Sequence, residues 1–319
     1  MKEILITDTL FILPKHEQKL IDAGFKVTRI PKPDASELEL CEAIKGKSGY
    51  ILGGIEKVTP KVIGCADKLK VIAFTGAGYK EHITAYKEAT QKGIAIANTP
   101  GGNAESVAEY ALTLILGMTR NIFELGRTGK KNFETTHSLS ELSVGIVGLG
   151  HIGRSVAHRL KVLGAKKIYY FNPGRIRDLE RTLGIEYASL EDLLKASDIV
   201  TLHASKDAGE SYIGAKQLAL MKDGSLLVNA SFAEAVDAEA LYKELKSGRI
   251  RAAFDKPPKK DFSGLPLNVW FSSNSQTAFN TVYAIDKVSE MAVDSVINVI
   301  KNRKNQNIVN ADFRNFSLK

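Results

Sequence analysis

The stretch Val144-Gly145-Ile146-Val147-Gly148-Leu149-Gly150-His151-Ile152-Gly153 decides the reading of this chain. A short apolar run, read as a strand, leads straight into the glycines, and a helical pattern over about 151–163 follows at once. Gly148 permits the tight turn, Gly150 lets the backbone approach a pyrophosphate, and Gly153 lets the helix pack closely on the strand. Phosphates then meet unpaired N–H groups, those of His151 and Ile152 among them, at the positive end of the helix. A lone match to this pattern is weak, because glycine turns occur in unrelated loops. Here the strand, the helix and a second strand at 168–171 stand in the order that a dinucleotide site requires.

The second strand ends near Asn172, nineteen residues after Gly153. Asp or Glu at that place suits the ribose hydroxyls of NAD, whereas an uncharged residue with a nearby Arg suits the 2′-phosphate of NADP. The chain reads Asn172-Pro173-Gly174-Arg175-Ile176-Arg177. Asn172 does not repel a phosphate and Arg175 can fork onto one, so NADP(H) is favoured over NAD(H). The alternative is that both arginines are solvated loop charges.

Outward from this motif, strand-like runs at 3–7, 26–29, 50–52, 71–74 and 94–97 alternate with helical patterns at 15–23, 36–45, 59–66 and 85–91, which predicts a small doubly wound domain. A longer helix is expected over about 104–125. The strand–helix alternation then resumes at the glycine motif and runs to about 271, and a last long helix is expected over 281–301. The length of 319 residues fits two domains, each with its own core. The formal net charge is +8, but the cations are spread along the chain. Lys301-Asn302-Arg303-Lys304 reads as a solvated helix end, with no aromatic interleaving to suggest nucleic acid. Two unpatterned cysteines, Cys41 and Cys65, point to a reducing, cytoplasmic setting without a disulfide or metal framework. No leader is visible at the first residues, and the longest apolar stretch, 110–118, is far too short for a bilayer.

Further segments carry a resemblance: 75–79 (Thr-Gly-Ala-Gly-Tyr), 98–109 (Asn-Thr-Pro-Gly-Gly-Asn-Ala-Glu-Ser-Val-Ala-Glu), 145–153, 198–203 (Asp-Ile-Val-Thr-Leu-His), 221–231 (Met-Lys-Asp-Gly-Ser-Leu-Leu-Val-Asn-Ala-Ser) and 252–255 (Ala-Ala-Phe-Asp). With them the chain resembles the D-isomer-specific 2-hydroxyacid dehydrogenase family over essentially its full length. The resemblance implies an α/β protein of two doubly wound parallel-sheet domains, a Rossmann dinucleotide-binding domain (99–287) inserted into a flavodoxin-like substrate domain (1–98 and 288–319). A cleft between the domains, a small-molecule substrate and a homodimer formed largely through the cofactor domains are implied with it. It places Gly76, Ala77 and Gly78 against the substrate, Asp255 at the nicotinamide carboxamide and Ala230 beside the cofactor. His203 falls on the adenosine side, where a purely structural histidine at a strand end is an equal reading.

The family's catalytic residues do not carry over by position. The Arg that forks onto a substrate carboxylate is replaced in Asn229-Ala230-Ser231-Phe232, where the ring of Phe232 is expected to face the substrate instead. The family's Glu falls at Pro258 in Asp255-Lys256-Pro257-Pro258, although Lys259 or Asp261 could slide into place with a gap. Its His falls at Asn274, an amide that cannot deliver a proton at neutral pH. Remaining candidates for chemistry are Asn274, Lys80, His82 and Lys256, with Glu81 and Ser273 beside them. Two readings follow. One is a repurposed oxidoreductase acting on a carbonyl or imine other than a simple 2-keto acid. The other is a catalytically inactive dinucleotide-binding protein that serves as sensor or scaffold.

Overall fold

The alternating strand and helix segments fold into two units in the computed structural model, which describes residues 1–8, 10–129, 135–205, 212–275 and 277–316. Unit 1 comprises Met1–Asn103 with Thr281–Lys319, and unit 2 comprises Ala104–Asn280.

Unit 1 contains β1 (Glu3–Thr7), α1 (Pro14–Asp22), β2 (Lys26–Ile30), α2 (Glu37–Ala43), β3 (Gly49–Leu52), α3 (Pro60–Cys65), β4 (Val71–Phe74), α4 (Tyr86–Gln91), β5 (Ala95–Ala97) and the late helix α12 (Val282–Ile300). Its sheet runs β2-β1-β3-β4-β5, with every pairing parallel. Successive strand residues point to opposite faces, and both faces are covered. Leu5, Tyr50, Leu52, Ile72 and Phe74 pack with Leu40 of α2 and Val62 and Ile63 of α3. Ile4, Ile6, Ile51, Val71 and Ala73 pack with Leu20 of α1 and Ala292, Val293 and Val296 of α12. Local chemistry sets the helix starts. The Ser36 hydroxyl accepts from the Glu39 N–H while the Glu39 carboxylate accepts from the Ser36 N–H, a reciprocal cap.

Unit 2 contains α5 (Ala104–Thr119), α6 (Ile122–Thr128), β6 (Ser143–Val147), α7 (His151–Val162), β7 (Lys167–Phe171), α8 (Arg177–Leu183), β8 (Glu186–Tyr187), α9 (Leu190–Ala196), β9 (Ile199–Leu202), α10 (Ala215–Ala219), β10 (Leu226–Asn229), α11 (Ala238–Lys246), β11 (Arg251–Phe254) and β12 (Trp270–Ser272). The sheet order is β12-β11-β10-β9-β6-β7-β8, again wholly parallel. Val144, Ile146, Ile168 and Tyr170 pack with α5 and α7 on one face. Val147, Val200, Leu202, Leu227 and Phe254 pack with α9, α10 and α11 on the other. The winding direction reverses between β6 and β9, the place where open α/β sheets bind ligands beyond the carboxyl ends of their strands.

Two expectations are corrected. The single helix expected over 104–125 breaks after Thr119, where Asn121 takes a left-handed backbone (φ +54°) and a second helix begins. Phe123 then folds back against Gly117, where a side chain would collide with the ring, and stacks on Phe271 at 3.8 Å. The expected seams at 98/99 and 287/288 fall instead at 103/104 and 280/281. The reason is packing: a methyl on Gly102 would come 2.7 Å from Val288 Cγ1, and His16 of α1 bonds Asp286 at 2.8 Å, so the 99–103 turn and the whole of α12 belong with unit 1.

Candidate functional site

The glycine turn between β6 and α7 depends on glycine at two of its three positions and leaves open space at the third. Gly148 sits at φ +94°, and a methyl there would come 2.7 Å from Ala204 N, on the loop leaving β9. A methyl on Gly153 would overlap the Gly148 carbonyl oxygen, whereas one on Gly150 meets nothing within 4 Å and projects into open space. Asn172 fastens the turn to the end of β7: its Oδ1 accepts from the Leu149 N–H at 3.3 Å and its Nδ2 donates to the Gly174 carbonyl at 3.2 Å. Arg154 Nε donates to the Leu149 carbonyl at 3.0 Å. The opening N–H groups of α7, including those of His151 and Ile152, lack intrahelical acceptors, and the Gly150 that precedes them leaves open space. These residues fit a pyrophosphate.

Arg175 is not simply a solvated loop charge or one freely aimed at a phosphate. Its Nε and Nη2 both donate to the Glu180 carboxylate at 2.8 Å, and its guanidinium lies 5.7 Å from the centre of the Tyr187 ring. Glu180 also accepts from the Tyr170 hydroxyl at 2.8 Å. The Arg175 fork, followed by that hydroxyl, lowers the Glu180 carboxyl to about 2. Sequence reading missed Glu180. The one available signal was an acid five residues after the arginine, at a spacing that a helix start folds back.

His203 is buried at the end of β9, with Nε2 2.9 Å from the Thr201 hydroxyl and no partner for Nδ1 among the described residues. Burial pulls its pKa down from 6.5 to about 3. In the unfolded chain the imidazole titrates near 6.5, so between the two values the unfolded state binds the extra proton. Its contribution to stability is therefore complete above pH 6.5 and drains as pH falls toward 3. Between pH 7.5 and 5.0, urea unfolding of the wild type is expected to lose about 2 kcal/mol more than unfolding of His203→Gln. Equal pH dependence in the two proteins would refute the assignment.

Three loops leave the carboxyl ends of the adjacent strands β10, β11 and β12, and they carry Phe232, the 255–258 run and Asn274. Asn229 shapes the first: its Oδ1 accepts from the N–H and hydroxyl of Ser231 at 2.9 and 2.7 Å, and its Nδ2 donates to the Phe232 carbonyl at 3.0 Å. Ala230 is buried beside it. The Phe232 ring, expected to face a substrate, is 8% exposed and packs among Leu202, Ile213 and Phe254 on the α9–α11 side. An apolar ring at a strand end gains more from the core than from solvent.

Asp255 is buried, and its Oδ1 accepts from the Thr277 N–H at 2.9 Å, the Thr277 hydroxyl at 3.2 Å and the Ser273 hydroxyl at 3.2 Å. The Ala278 N–H reaches both oxygens at 3.3 Å. One carboxylate thus ties the β11 loop to the loop after β12, a role that the sequence did not disclose. Asn274 stands in this second loop at φ +60° with its amide exposed. Pro258 is buried, while Lys256 is exposed.

In unit 1, Gly76, Ala77 and Gly78 form the loop after β4. The Thr99 N–H donates to the Gly76 carbonyl at 3.1 Å and Asn98 Nδ2 donates to the Ala77 carbonyl at 3.0 Å. Lys80 and Glu81 are exposed on the short turn that follows, and His82 stacks on Phe74 at 4.6 Å, which places its ring against the sheet end. An acid that sequence reading passed over lies nearby in the fold. Glu56 is buried after β3, accepts from the hydroxyls of Thr7 and Tyr50, and has its carboxyl pushed up chiefly by burial. Among the described residues no cluster of three or more His, Cys, Asp or Glu is placed to hold a metal, and no helix is long and apolar enough to cross a membrane.

A wholly parallel sheet with a phosphate-accepting glycine turn at its switch point defines a dinucleotide-binding protein. Residues 112–268 match the family described as D-isomer specific 2-hydroxyacid dehydrogenase, NAD binding domain. The chain is 33% identical over 320 residues to the glyoxylate reductase of Thermococcus litoralis, covering 94% of this chain and 95% of that protein. It is 32% identical over 324 residues to the D-3-phosphoglycerate dehydrogenase of Methanocaldococcus jannaschii, covering 97% of this chain but only 60% of that longer protein. The TT0316 protein from Thermus thermophilus superposes with a TM-score of 0.83 at 27% identity, over 96% of this chain and 99% of that one. The chain belongs to the D-isomer specific 2-hydroxyacid dehydrogenase family, an oxidoreductase family with a pyridine-nucleotide cofactor.

Proposed function

We propose that this protein is an oxidoreductase with NADP(H) favoured over NAD(H), and that it acts on a small carbonyl or imine compound other than a simple 2-keto acid. One observation carries the reading. The positions at the carboxyl edge of β10–β12 where the family resemblance seeks a carboxylate clamp and an acid hold a ring buried in the core, a buried proline and an exposed amide: Phe232, Pro258 and Asn274. A substrate bound here has no Arg fork for a carboxylate. An already polarised electrophile such as an iminium needs no proton at the moment of reduction.

The nicotinamide, when bound, supplies or accepts the hydride. The start of α7 holds the pyrophosphate through backbone N–H groups, and Asp255 keeps the carboxamide side ordered by bridging two loops. His203 closes the adenosine side as an uncharged wall. Lys80, His82, Lys256 and Asn274 are the side chains proposed to orient substrate or carry its proton, and Gly76, Ala77 and Gly78 supply backbone toward it. The test is fluorescence binding of NADPH and NADH, followed by a screen of carbonyl and imine compounds for oxidation of NADPH. Tight nucleotide binding with no turnover of any of them would favour the sensor or scaffold reading.

The cofactor preference has its own test. Nε and Nη2 of Arg175 are engaged by Glu180, which leaves Nη1 to meet a 2′-phosphate. Arg175→Ala is expected to weaken NADPH binding by about 1–3 kcal/mol while leaving NADH nearly unchanged. Glu180→Gln, which removes a carboxylate beside that phosphate, is expected to strengthen NADPH binding. Unchanged affinities in both variants would remove the NADP preference from the proposal.

The same proposal includes a cytoplasmic homodimer. Support for the dimer comes from the surface between α5 and α7, where Leu112, Leu116, Val162 and Leu163 line a groove and Val162 is 74% exposed. Sedimentation velocity of wild type and Val162→Glu checks it, with the variant expected to run as a monomer.

A further inference from the structure

We propose that unit 2 carries a second anion site, for a phosphate-class oxyanion, in a cavity at the amino-terminal edge of its sheet, with Arg251 as the anchor. The cavity measures about 330 Å³ and is bordered by Asn121, Thr135, Thr136, His137, Lys222 and Arg251 among others. It lies away from the glycine turn. Ile199, Leu226 and Arg251 open β9, β10 and β11 on this edge, whereas Gly148 and Asp255 follow the carboxyl ends of β6 and β11. Four residues of extended chain, roughly 13 Å, separate the two edges along β11.

Arg251 is the unusual group. It is half-buried, and its Nη1 donates to the Met118 carbonyl at 3.1 Å, the one hydrogen bond it makes among the described residues. No carboxylate among the described residues is hydrogen-bonded or ion-paired to it, and burial shifts its guanidinium down. Arg249, two residues earlier, shows the usual arrangement: its fork is shared among Glu244, Asp223 and the carbonyls of Met221 and Leu218. Cations drawn out of water are ordinarily paired, and the four Arg251 N–H donors without a partner among the described residues are open to solvent, where an anion can reach them.

The acids bordering the cavity do not neutralise it. Asp198 accepts from Lys222 Nζ at 2.7 Å and from the N–H and hydroxyl of Ser143 at 2.8 and 2.6 Å. Asp223 is exposed, with its oxygen 3.4 Å from Arg249. The rest of the lining is rich in donors. Thr136 accepts from Arg120 Nε at 2.9 Å, which leaves its hydroxyl proton to give. Asn121, held in the left-handed break between α5 and α6, makes no side-chain cap bond and adds its amide. Thr135 adds a hydroxyl, and His137 lies at the mouth with its side chain 72% exposed. One uncompensated guanidinium ringed by hydroxyl and amide donors suits a planar fork on phosphate oxygens. The volume exceeds that of bare phosphate and leaves room for a small group esterified to it.

The test titrates inorganic phosphate by calorimetry into protein saturated with NADPH, so that the glycine turn is already filled. One saturable site per chain is expected. Arg251→Gln should weaken it at least tenfold and Thr136→Val should weaken it severalfold, with NADPH binding unchanged in both. Glycerol 3-phosphate serves as the second probe: tighter binding than phosphate assigns the site to phosphate monoesters, and equal binding assigns it to the free ion. If Arg251→Gln does not fold, Arg251→Lys keeps the charge and loses the fork, and at least a threefold weakening is expected. Absence of saturable phosphate binding beside NADPH, or unchanged binding in the Arg251 variants, would overturn the proposal.

Discussion

Gly150→Val is expected to abolish binding of both NADPH and NADH while leaving the protein as stable as the wild type. The backbone at Gly150, φ −75° and ψ −159°, is ordinary for any residue, and a Cβ there meets nothing within 4 Å. Folding therefore tolerates the side chain, but it occupies the space through which a pyrophosphate reaches the first N–H groups of α7. Losing two charge-assisted hydrogen bonds corresponds to a fall in affinity of at least ~100-fold, about 2.7 kcal/mol. Gly153→Ala should do the reverse. Its methyl overlaps the Gly148 carbonyl oxygen, a backbone atom that cannot swing away, so unfolding should be easier by about 1–3 kcal/mol. Fluorescence titration and urea unfolding of the two variants separate these effects. Intact nucleotide binding by a folded Gly150→Val protein would mean that the glycine turn is not where the phosphates lie.

Turnover of pyruvate, glyoxylate and hydroxypyruvate by the unmodified protein is expected to sit near background. A general acid contributes typically 10²–10⁴-fold, and Asn274 supplies none. Asn274→His alone should change little, because no Arg fork anchors the substrate and Pro258 offers no carboxylate to the imidazole. Adding Phe232→Arg should not repair this. The ring it replaces is 8% exposed among Leu202, Ile213 and Phe254, so the new guanidinium starts in an apolar core and the variant should unfold more readily. Steady-state assays with NADPH and NADH check the first expectation, and thermal melts check the second. Brisk reduction of any of the three 2-keto acids would sink the proposal and hand the proton to Lys256, His82 or Lys80.

The glycine turn was legible in sequence because its requirements are local. A positive φ at Gly148, close approach at Gly150 and close packing at Gly153 each single out one residue type, and the flanking periods of strand and helix fix their order. The same locality explains why both sheets could be anticipated: alternation along 3–7 or 71–74 already assigns side chains to two buried faces. The break after Thr119 is not legible in the sequence, because the apolar spacing of 104–125 continues past it. What stops the helix is Phe123 returning to Gly117 and Phe271, a contact with a residue far along the chain.

By itself the sequence determined the family, the two parallel sheets and the glycine turn that opens α7, since these follow from periodicity and from backbone conformations that few residues can adopt. Only the tertiary structure decided that Arg175 is claimed by Glu180, that Phe232 turns inward, that Asp255 spends its oxygens on Thr277 and Ala278, and that Arg251 has no countercharge among the described residues. Each of these is a competition among partners distant in sequence. Burial settles it by raising the cost of an unpaired polar group and the gain from a buried ring, and neither quantity exists until the chain has folded.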